Sequence, residues 1–361
     1  MFHRLIAGRY RWTMPESIVS QLRRRSVSLS GQRQENGARR SHIPGFLIIL
    51  ILALFCIEAR GGGQTPPKAQ APIAEVEAFW QRTLERVSRE PLEVQVESVN
   101  DPLPYKKYRI TYRSLEGIKV RAYLGVPIQG ETINRPLPAI ITAPGYGGKE
   151  QGVMLDECQR GYVILQVYPR SQGESIDLWK IDGPDKLTWH INQPEGYYYQ
   201  GAYVDVIRGI DYLQSRSDVD RNRIGLMGTS QGGGIVLAVG GLDPRVKAVV
   251  AHVPCLCDMR RAAVIEGSAI KKLLEDYQAL SPENLRTLDY FDPLNLGQRL
   301  KEPTLISAGG QDRTCPADSI RAVFDQLPGI KSLSYYPALY HTSAGDFYQM
   351  SWEWIERHLK R

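Results

Sequence analysis

The chain has 361 residues, of which 42% are hydrophobic, and it carries a formal net charge of +6. Residues 1–60 hold ten arginines and three glutamates, so this segment accounts for +7 and the rest of the chain is near −1. The length and apolar content favour one domain with a large buried core. Because the basic charge belongs to the N-terminal segment, the composition argues against nucleic-acid binding.

The first 72 residues are typical of export and linker sequence. Residues 1–59 form a basic leader, and its apolar run at 46–57 is short for a membrane span but suits the core of a signal peptide. Ala59 offers a small residue near which cleavage is expected, which predicts a periplasmic or extracellular protein; an uncleaved N-terminal membrane anchor stays open as the alternative. Residues 60–72, rich in glycine and proline, predict a flexible linker.

A single domain is expected over residues 73–361, beginning with a helix. Residues 105–114 and 118–127 alternate apolar and polar side chains and predict an antiparallel strand pair. Further strands are predicted at 137–142, 162–167, 223–227, 248–251, 303–308 and 332–336, and helices at 203–215, 233–239, 317–326 and 349–360. This alternation predicts an α/β fold with a mostly parallel central sheet flanked by helices.

A glycine-rich motif, G-T-S-Q-G at residues 228–232, lies between the strand at 223–227 and the helix at 233–239. This context is typical of the nucleophile elbow of an α/β-hydrolase, where a strained turn lifts a serine hydroxyl out of the sheet edge. Glycines are needed two positions before and after the serine, because strand and helix approach closely there. We interpret Ser230 as a nucleophile rather than as a surface serine in a plain turn.

A serine is a poor nucleophile without a base, and in this fold class the base follows both the serine and an acid along the chain. His341 follows the strand at 332–336 and opens a polar loop, a position from which a base can reach the elbow. His358 lies in an amphipathic terminal helix and is expected on the surface, and His252, before any candidate acid, is expected to be structural. His341 is therefore the predicted base.

The acid that orients this base is expected at the carboxyl end of a strand, where the functional groups of α/β sheets gather. Asp312 lies in the loop after the strand at 303–308, placed to accept the imidazole N–H. The alternative role for such an aspartate is capping the next helix, and Asp318 is assigned to that role. Asp312 is therefore the predicted third member of a triad.

Acyl transfer to a serine also needs backbone N–H donors for the negative charge on the tetrahedral intermediate. One donor is predicted at Gln231, the residue after the nucleophile. The other is expected in the glycine-rich loop at 143–148, which follows the strand at 137–142. A plain glycine-rich turn with a packing tyrosine is the alternative interpretation of this loop.

No cofactor or metal is predicted. Cys255 and Cys257 are too close for an unstrained disulfide with each other, and no second cysteine pair or neighbouring histidine completes a zinc pattern. Buried free thiols are expected at Cys158, Cys255, Cys257 and Cys315, although export leaves pairing open. The glycines after Ser230 lack the lysine and hydroxyl residue of a phosphate-binding loop, and triad chemistry needs no cofactor.

Several longer strings, together with Phe79 and Trp80 in the leading helix, carry a more specific signal than any single motif. They lie at residues 197–199, 205–208, 228–234, 253–258, 288–292 and 312–316. From about residue 72 to its end the chain resembles the acetyl xylan esterase / cephalosporin C deacetylase family.

The resemblance implies an α/β-hydrolase that removes acetyl groups from small acetylated sugars, with Ser230, Asp312 and His341 as its triad. It also points to Tyr146 as the second oxyanion residue. We therefore expect a serine esterase that acts on acetyl esters of small acetylated sugars or xylo-oligosaccharides through an acyl-enzyme. The alternatives are a general short-chain carboxylesterase and a prolyl-oligopeptidase-like peptidase, although a propeller domain has no room in this chain. Membrane contact is expected only through an uncleaved N-terminal segment.

Three departures from the family pattern concern the pocket and the assembly rather than the triad. Thr342 stands where the family has glutamate, Ser171 replaces a glycine of an Arg-Gly-Gln-Gly motif, and the segment at 174–196 is shorter than usual. Tyr146 and the tyrosines at 197–199 either narrow the acyl pocket or pack in the core, and the short segment opens the site towards larger alcohols. We expect acetyl esters to be preferred over longer acyl esters, and a homo-oligomer stays open.

Overall fold

A computed structural model of the protein describes residues 70–128, 135–149 and 151–360. The leader at 1–59, with its apolar run and Ala59, lies outside these residues, as does most of the expected linker. Within the described ranges, no helix has both the length and the apolar character that a bilayer span requires.

One sheet runs through this part of the chain. Its nine strands are β1 (Gln95–Val99), β2 (Tyr105–Arg113), β3 (Lys119–Pro127), β4 (Leu137–Ala143), β5 (Val163–Tyr168), β6 (Val219–Thr229), β7 (Val246–His252), β8 (Thr304–Gly309) and β9 (Lys331–Tyr336). Across the sheet they follow the order β1-β2-β3-β5-β4-β6-β7-β8-β9. The pairs β1–β2, β2–β3 and β3–β5 are antiparallel and the pairs from β5 to β9 are parallel, which confirms the predicted mostly parallel sheet and its antiparallel pair.

Helices connect the strands and cover the sheet. They are α1 (Ile73–Ser88), α2 (Tyr198–Ser215), α3 (Gln231–Leu242), α4 (Met259–Ala262), α5 (Ala269–Asp276), α6 (Pro282–Asp289), α7 (Pro293–Leu296), α8 (Ala317–Gln326) and α9 (Gly345–Leu359). Short 3₁₀ helices lie at Leu115–Gly117, Leu155–Arg160, Gly173–Ser175 and Gly297–Arg299.

The central strands of the sheet are buried on both faces, whereas the edge strand β1 is largely exposed. Successive side chains on a strand point to opposite faces, so neighbouring residues of the central strands belong to different layers. Ile141 and Leu226 lie in the core that includes side chains of α1, α2 and α3, whereas Ile140 and Met227 pack in a second core with Phe347 of α9. Apolar runs on the central strands are expected for a sheet that is covered twice.

The end of the expected linker is packed rather than loose. Ala71 is 2% exposed, and its N–H donates to Asp289 Oδ2 at 2.8 Å. Gln70 Nε2 donates to Asn295 Oδ1 at 3.3 Å. The prediction of a flexible linker is therefore wrong at its last residues, because the domain already holds them before α1 begins.

Helix α2 begins at Tyr198, five residues before the predicted start at 203. Gly201 interrupts the apolar pattern that the prediction used. A Cβ at this position would lie 2.3 Å from Arg170 Cζ, so the glycine serves the close approach of a buried guanidinium and does not end the helix.

The predicted helix cap at Asp318 is wrong. Pro316 occupies the N-cap position of α8, without a side-chain hydrogen bond, and Asp318 lies in the first turn. A carboxylate in the first turn still faces the positive end of the helix dipole. The aspartate therefore contributes to the helix start by charge rather than by capping.

Candidate active site

Ser230 lies at the junction of β6 and α3, and its backbone angles are φ 57° and ψ −122°. A non-glycine residue with a positive φ is strained and persists only where its surroundings enforce it. Here β6 ends at Thr229 and α3 begins at Gln231, so the turn has one residue. The strand–turn–helix context predicted for the motif is confirmed.

Two glycines make this turn sterically feasible. A Cβ on Gly228 would lie 2.3 Å from Gly232 O, and a Cβ on Gly232 would lie 2.1 Å from Ala143 O. Both distances are far below van der Waals contact, and in both cases the obstacle is backbone. The close packing of strand, helix and the end of β4 therefore depends on these two positions.

The structure brings the three predicted triad residues together. His341 Nε2 lies 2.9 Å from Ser230 Oγ, and His341 Nδ1 lies 2.7 Å from Asp312 Oδ2. The Asp312 side chain is fully buried and that of His341 is 28% exposed. With Nδ1–H donating to the carboxylate, Nε2 is the ring atom that can accept the serine proton.

The N-terminus of α3 supplies the first candidate donor for an oxyanion. Gly234 N–H makes the first intrahelical bond, to Ser230 O at 3.1 Å, so the N–H of Gln231 precedes the helical ladder. Its side chain is buried elsewhere: Nε2 donates to Gln172 Oε1 at 3.0 Å and Oε1 accepts the Tyr199 hydroxyl at 3.1 Å. The hydrogen bonds of the Gln231 side chain hold the start of α3 in place, while its backbone N–H lies outside the helical hydrogen bonds.

Tyr146, in the loop after β4, is held by residues of the segment at 174–196, to which the sequence analysis assigned no contact with this loop. Its hydroxyl donates to Asp185 Oδ1 and accepts the Leu187 N–H at 3.2 Å. Lys186 Nζ lies 4.2 Å from the centre of the Tyr146 ring. Burial, with Asp185 nearby, raises the pKa of the Tyr146 hydroxyl, so the phenol stays protonated and can donate.

Ser230 and His341 open into a cleft of about 730 Å³. Its lining combines the loop after β4, the elbow and the loop that carries His341: Gly145, Tyr146, Gly147, Lys149, Gln151, Gly152, Met154, Thr229, Ser230, His252, Val253, His341, Thr342, Ser343 and Tyr348. Met154 is 61% exposed. A cleft of this size accepts a ligand of sugar dimensions.

The profile of the acetyl xylan esterase family matches residues 67–358. The chain belongs to the acetyl xylan esterase family. The members of this family are carboxylic ester hydrolases that act on acetylated substrates.

Similar proteins agree with this membership. An acetyl esterase of Xylanibacter ruminicola is 26% identical over 293 residues, which cover 77% of this chain and 66% of that protein. The solved acetyl xylan esterase from Paenibacillus sp. R4 has a TM-score of 0.73 and 29% identity over 81% of this chain and 98% of that one. An acylaminoacyl peptidase of Pyrococcus horikoshii, at 18% identity and a TM-score of 0.57 over 72% of this chain and 42% of that one, shares the fold. The chain thus spans slightly less than two thirds of the acetyl esterase.

In this esterase family member the tyrosines at 197–199 pack in the core rather than around the acyl pocket. All three are buried and none lines the cleft. The hydroxyl of Tyr197 donates to Leu187 O and that of Tyr198 to Arg170 O. Of the two roles predicted for these tyrosines, the structure supports packing.

Of the two other histidines weighed as the base, His252 is buried as a structural residue would be, whereas His358, expected on the surface, is half-buried. His252 is 1% exposed, its Nε2 lies 3.1 Å from Ser351 Oγ, and burial lowers its pKa to about 4. The ring of His358 packs on Trp354 with centroids 4.7 Å apart, near the end of α9.

The prediction of free thiols is wrong for two of the four cysteines. Cys255 and Cys315 form a disulfide with their Cα atoms 5.1 Å apart, whereas Cys158 and Cys257 are free and buried. Ligand atoms of Cys255, Cys315 and His341 lie within 4.8 Å of one another. Because the two sulfurs are bonded to each other, neither is a thiolate that could bind a metal.

A buried ion pair near the site also escaped sequence reasoning. Arg170 Nη2 lies 2.8 Å from Asp205 Oδ1, and both side chains are almost fully buried. Arg170 Nη2 also donates to Leu115 O at 3.2 Å, and the Arg170 N–H donates to Asp205 Oδ2 at 2.7 Å. The pair joins the loop after β5 to α2, two segments that are distant in sequence.

Proposed function

We propose that the protein is a serine esterase that hydrolyses acetyl esters of small acetylated sugars or xylo-oligosaccharides through an acyl-enzyme intermediate. The observation that carries the proposal is the geometry of His341, which lies within hydrogen-bonding distance of both Ser230 Oγ and Asp312 Oδ2. Family membership supports the acetyl ester as substrate class.

In the acylation step His341 Nε2 takes the proton from Ser230 Oγ as the oxygen attacks the ester carbonyl carbon. The negative charge that develops on the carbonyl oxygen is stabilised by the N–H groups of Gln231 and Tyr146. His341 then gives the proton to the sugar oxygen, the C–O bond breaks, and the acetyl group stays on Ser230.

In the deacylation step a water replaces the sugar. His341 removes a proton from this water, the resulting oxygen attacks the acetyl carbon, and acetate leaves as Ser230 Oγ regains its proton. Asp312 accepts the Nδ1–H bond in both steps and stabilises the imidazolium that forms twice. Its burial and its bonds to two N–H groups, from His341 and Cys315, keep it in one orientation.

Substrate range follows from the walls of the cleft. Gly145, Tyr146 and Gly152 form half-buried parts of the lining, whereas Lys149 and Met154 are exposed. We propose that the short acyl group binds against the half-buried residues and that varied sugar alcohols are accepted beside the exposed ones. Each added methylene that still fits discriminates by only about 1–3 kcal/mol, so exclusion of longer acyl chains depends on steric contact.

A Ser230→Ala variant tests the mechanism, with Ser98→Ala on the edge strand β1 as the matched control. The first variant is expected to lose roughly 10⁶-fold in kcat while keeping its fold, and the control to keep its activity. Intact-mass measurement during turnover is expected to show an acetyl adduct on the wild type and none on Ser230→Ala. Near-normal turnover by folded Ser230→Ala would reject the serine mechanism.

An acyl series from acetate to octanoate on one leaving group tests the substrate class. We expect kcat/KM to be largest for acetate, and acetylated xylo-oligosaccharides to be deacetylated. A maximum at four carbons or beyond would indicate a general carboxylesterase. Faster cleavage of aminoacyl nitroanilides than of acetyl esters would indicate the peptidase alternative.

We also propose that the protein is exported and cleaved near Ala59. The basic leader and its apolar run support this, and so does the Cys255–Cys315 disulfide, because disulfides persist mainly in oxidising compartments. N-terminal sequencing of the native protein is expected to begin near Arg60. A sequence beginning at Met1, with the protein in the membrane fraction, would establish an uncleaved anchor instead.

A further inference from the structure

The Cys255–Cys315 disulfide joins the two parts of the chain that carry the triad. Cys255 lies three residues after β7, and Cys315 lies three residues after Asp312. The two cysteines are 60 positions apart in sequence. The bridge therefore connects the strand beside the nucleophile elbow with the loop that carries the acid.

On the nucleophile side, the backbone of Ser230 is held by the segment that ends at Cys255. The Ser230 N–H donates to His252 O at 2.9 Å, and the Cys255 N–H donates to Ser230 O at 2.9 Å. Both polar backbone groups of the strained residue are thus bonded to this segment. Any displacement of Cys255 is transmitted to the serine directly.

On the acid side, the loop is tied to the carboxylate itself. The Cys315 N–H donates to Asp312 Oδ1 at 2.9 Å, while Asp312 Oδ2 faces His341 Nδ1 at 2.7 Å. The neighbouring Gln311 N–H donates to Leu339 O at 2.9 Å, which binds the acid loop to the loop of the base. Acid and base therefore move as one unit, and the disulfide is attached to it.

We propose that the Cys255–Cys315 disulfide is a positioning element of the reaction, which fixes the unit of Asp312 and His341 against Ser230. The contacts form a closed circuit: Ser230 to Cys255, across the disulfide to Cys315, then to Asp312, His341 and back to Ser230 Oγ. Opening the bridge leaves the remaining links non-covalent. The inference rests on the proposed serine mechanism, because that mechanism needs the three side chains within hydrogen-bonding distance of one another.

A crosslink that closes a loop of 60 residues also stabilises a fold by restricting the unfolded chain. Thermal stability alone therefore does not separate positioning from stabilisation. The difference lies in kcat measured far below Tm: a displacement of about 1 Å in a catalytic group costs on the order of 100-fold in rate, whereas lost stability leaves the folded enzyme's turnover unchanged.

The test compares Cys255→Ala/Cys315→Ala with Cys158→Ala/Cys257→Ala, which removes the two buried cysteines that are not bridged. For the first pair we expect kcat to fall about tenfold with KM within about twofold. The rate at which a fluorophosphonate labels Ser230 is expected to fall in parallel. The second pair is expected to keep both rates.

Reduction of the wild type by a trialkylphosphine gives an independent measurement. The S–S bond breaks, each sulfur gains a hydrogen from water, and the phosphine takes the water oxygen to become its oxide. Thiol counting then identifies the reduced fraction, in which we expect the same loss of kcat as in Cys255→Ala/Cys315→Ala. The phosphine is expected to have no effect on that variant.

Unchanged kcat in the folded variant and in the reduced wild type, with only Tm lowered, would overturn the proposal and leave a stabilising crosslink. A rise in KM at constant kcat would also overturn it, by assigning the bridge to pocket shape. These results differ from failure of the serine mechanism itself, which Ser230→Ala reports. An enzyme that depends on Ser230 but not on the disulfide rejects the positioning role alone.

Discussion

Ser230 takes its geometry from five consecutive residues that span the end of β6 and the start of α3, whereas Asp312 and His341 lie in two loops and are 29 residues apart. The nucleophile's position is a property of local backbone sterics, since two glycines and one strained residue define it. The position of acid and base instead depends on loop–loop hydrogen bonds and one crosslink. We therefore name the elbow around Ser230 the rigid half of the site, because local backbone sterics fix it. The two loops that carry Asp312 and His341 are the attached half, because hydrogen bonds and the disulfide hold them in place.

After the loss expected for Ser230→Ala, the largest effect is expected in the attached half. Asp312→Asn keeps the volume of the side chain but lets its amide donate towards His341 Nδ1, which favours the wrong imidazole tautomer. We expect kcat to fall about 10⁴-fold with the fold intact. Kinetics and circular dichroism on this variant, beside the exposed Asp318→Asn as control, measure it; a loss below tenfold would mean that another acid serves the base.

One added methyl group at Gly232 is expected to disrupt the nucleophile elbow. Gly232→Ala places a Cβ against Ala143 O, where backbone on both sides prevents relief. We expect a loss of about 3 kcal/mol or more in the free energy of unfolding, measured by urea denaturation. Gly345→Ala is the matched control, because nothing lies within 4 Å of a Cβ there. Equal stability of the two variants would show that the elbow relaxes.

The two halves each contain a histidine, and the one beside the elbow makes stability depend on pH. Burial lowers the pKa of His252 to about 4 from its ordinary value of 6.5, so the folded protein resists its protonation. The contribution of neutral His252 to the free energy of unfolding is fully present above pH 6.5 and is lost as the pH falls to 4, a change of about 3 kcal/mol. The free energy of unfolding, measured by denaturation at several pH values between 4 and 6.5, is expected to change less with pH for His252→Gln than for the wild type. An equal dependence on pH in the two proteins would contradict the assignment.

The smallest expected effect concerns the two hydrogen bonds of the Tyr146 hydroxyl, which we name the clamp on the loop after β4. Tyr146→Phe removes the hydroxyl that bonds Asp185 and the Leu187 N–H, at a cost of about 1 kcal/mol, or a severalfold fall in kcat/KM. Tyr290→Phe is the control, since its hydroxyl donates to Glu75 Oε2 at 3.0 Å and Tyr290 does not line the cleft. Equal kcat/KM in both variants would show that the oxyanion loop keeps its place without the clamp.

The elbow and the chain order of the triad could be predicted because their signals are short and local. A glycine two residues on either side of Ser230 is required by sterics, and the placement of Asp312 and His341 follows from loops after strands. The sheet could be predicted for the same reason, since apolar runs recur at regular intervals along the chain.

What escaped prediction involves partners that are distant in sequence. The Cys255–Cys315 bridge and the Arg170–Asp205 ion pair each need two segments that only the folded sheet brings together. Nothing in the local pattern distinguishes Cys255 from Cys257, two positions away, yet one is bridged and the other free. Polar and cysteine pairing is decided by three-dimensional geometry, which periodicity does not contain.

The bridge also has a consequence for how the chain tolerates change. It closes a segment that leaves the sheet after β7, carries α4 to α7 and returns to the sheet at β8, before Cys315. On α5 only Ile270 and Leu274 are buried, and Tyr277 and Leu280 beyond its end are 40% and 45% exposed. Additional residues inserted between α5 and α6 would therefore extend from an exposed part of the segment that the disulfide closes. A carbohydrate-binding module grafted at that junction is expected to leave the spacing of the triad unchanged.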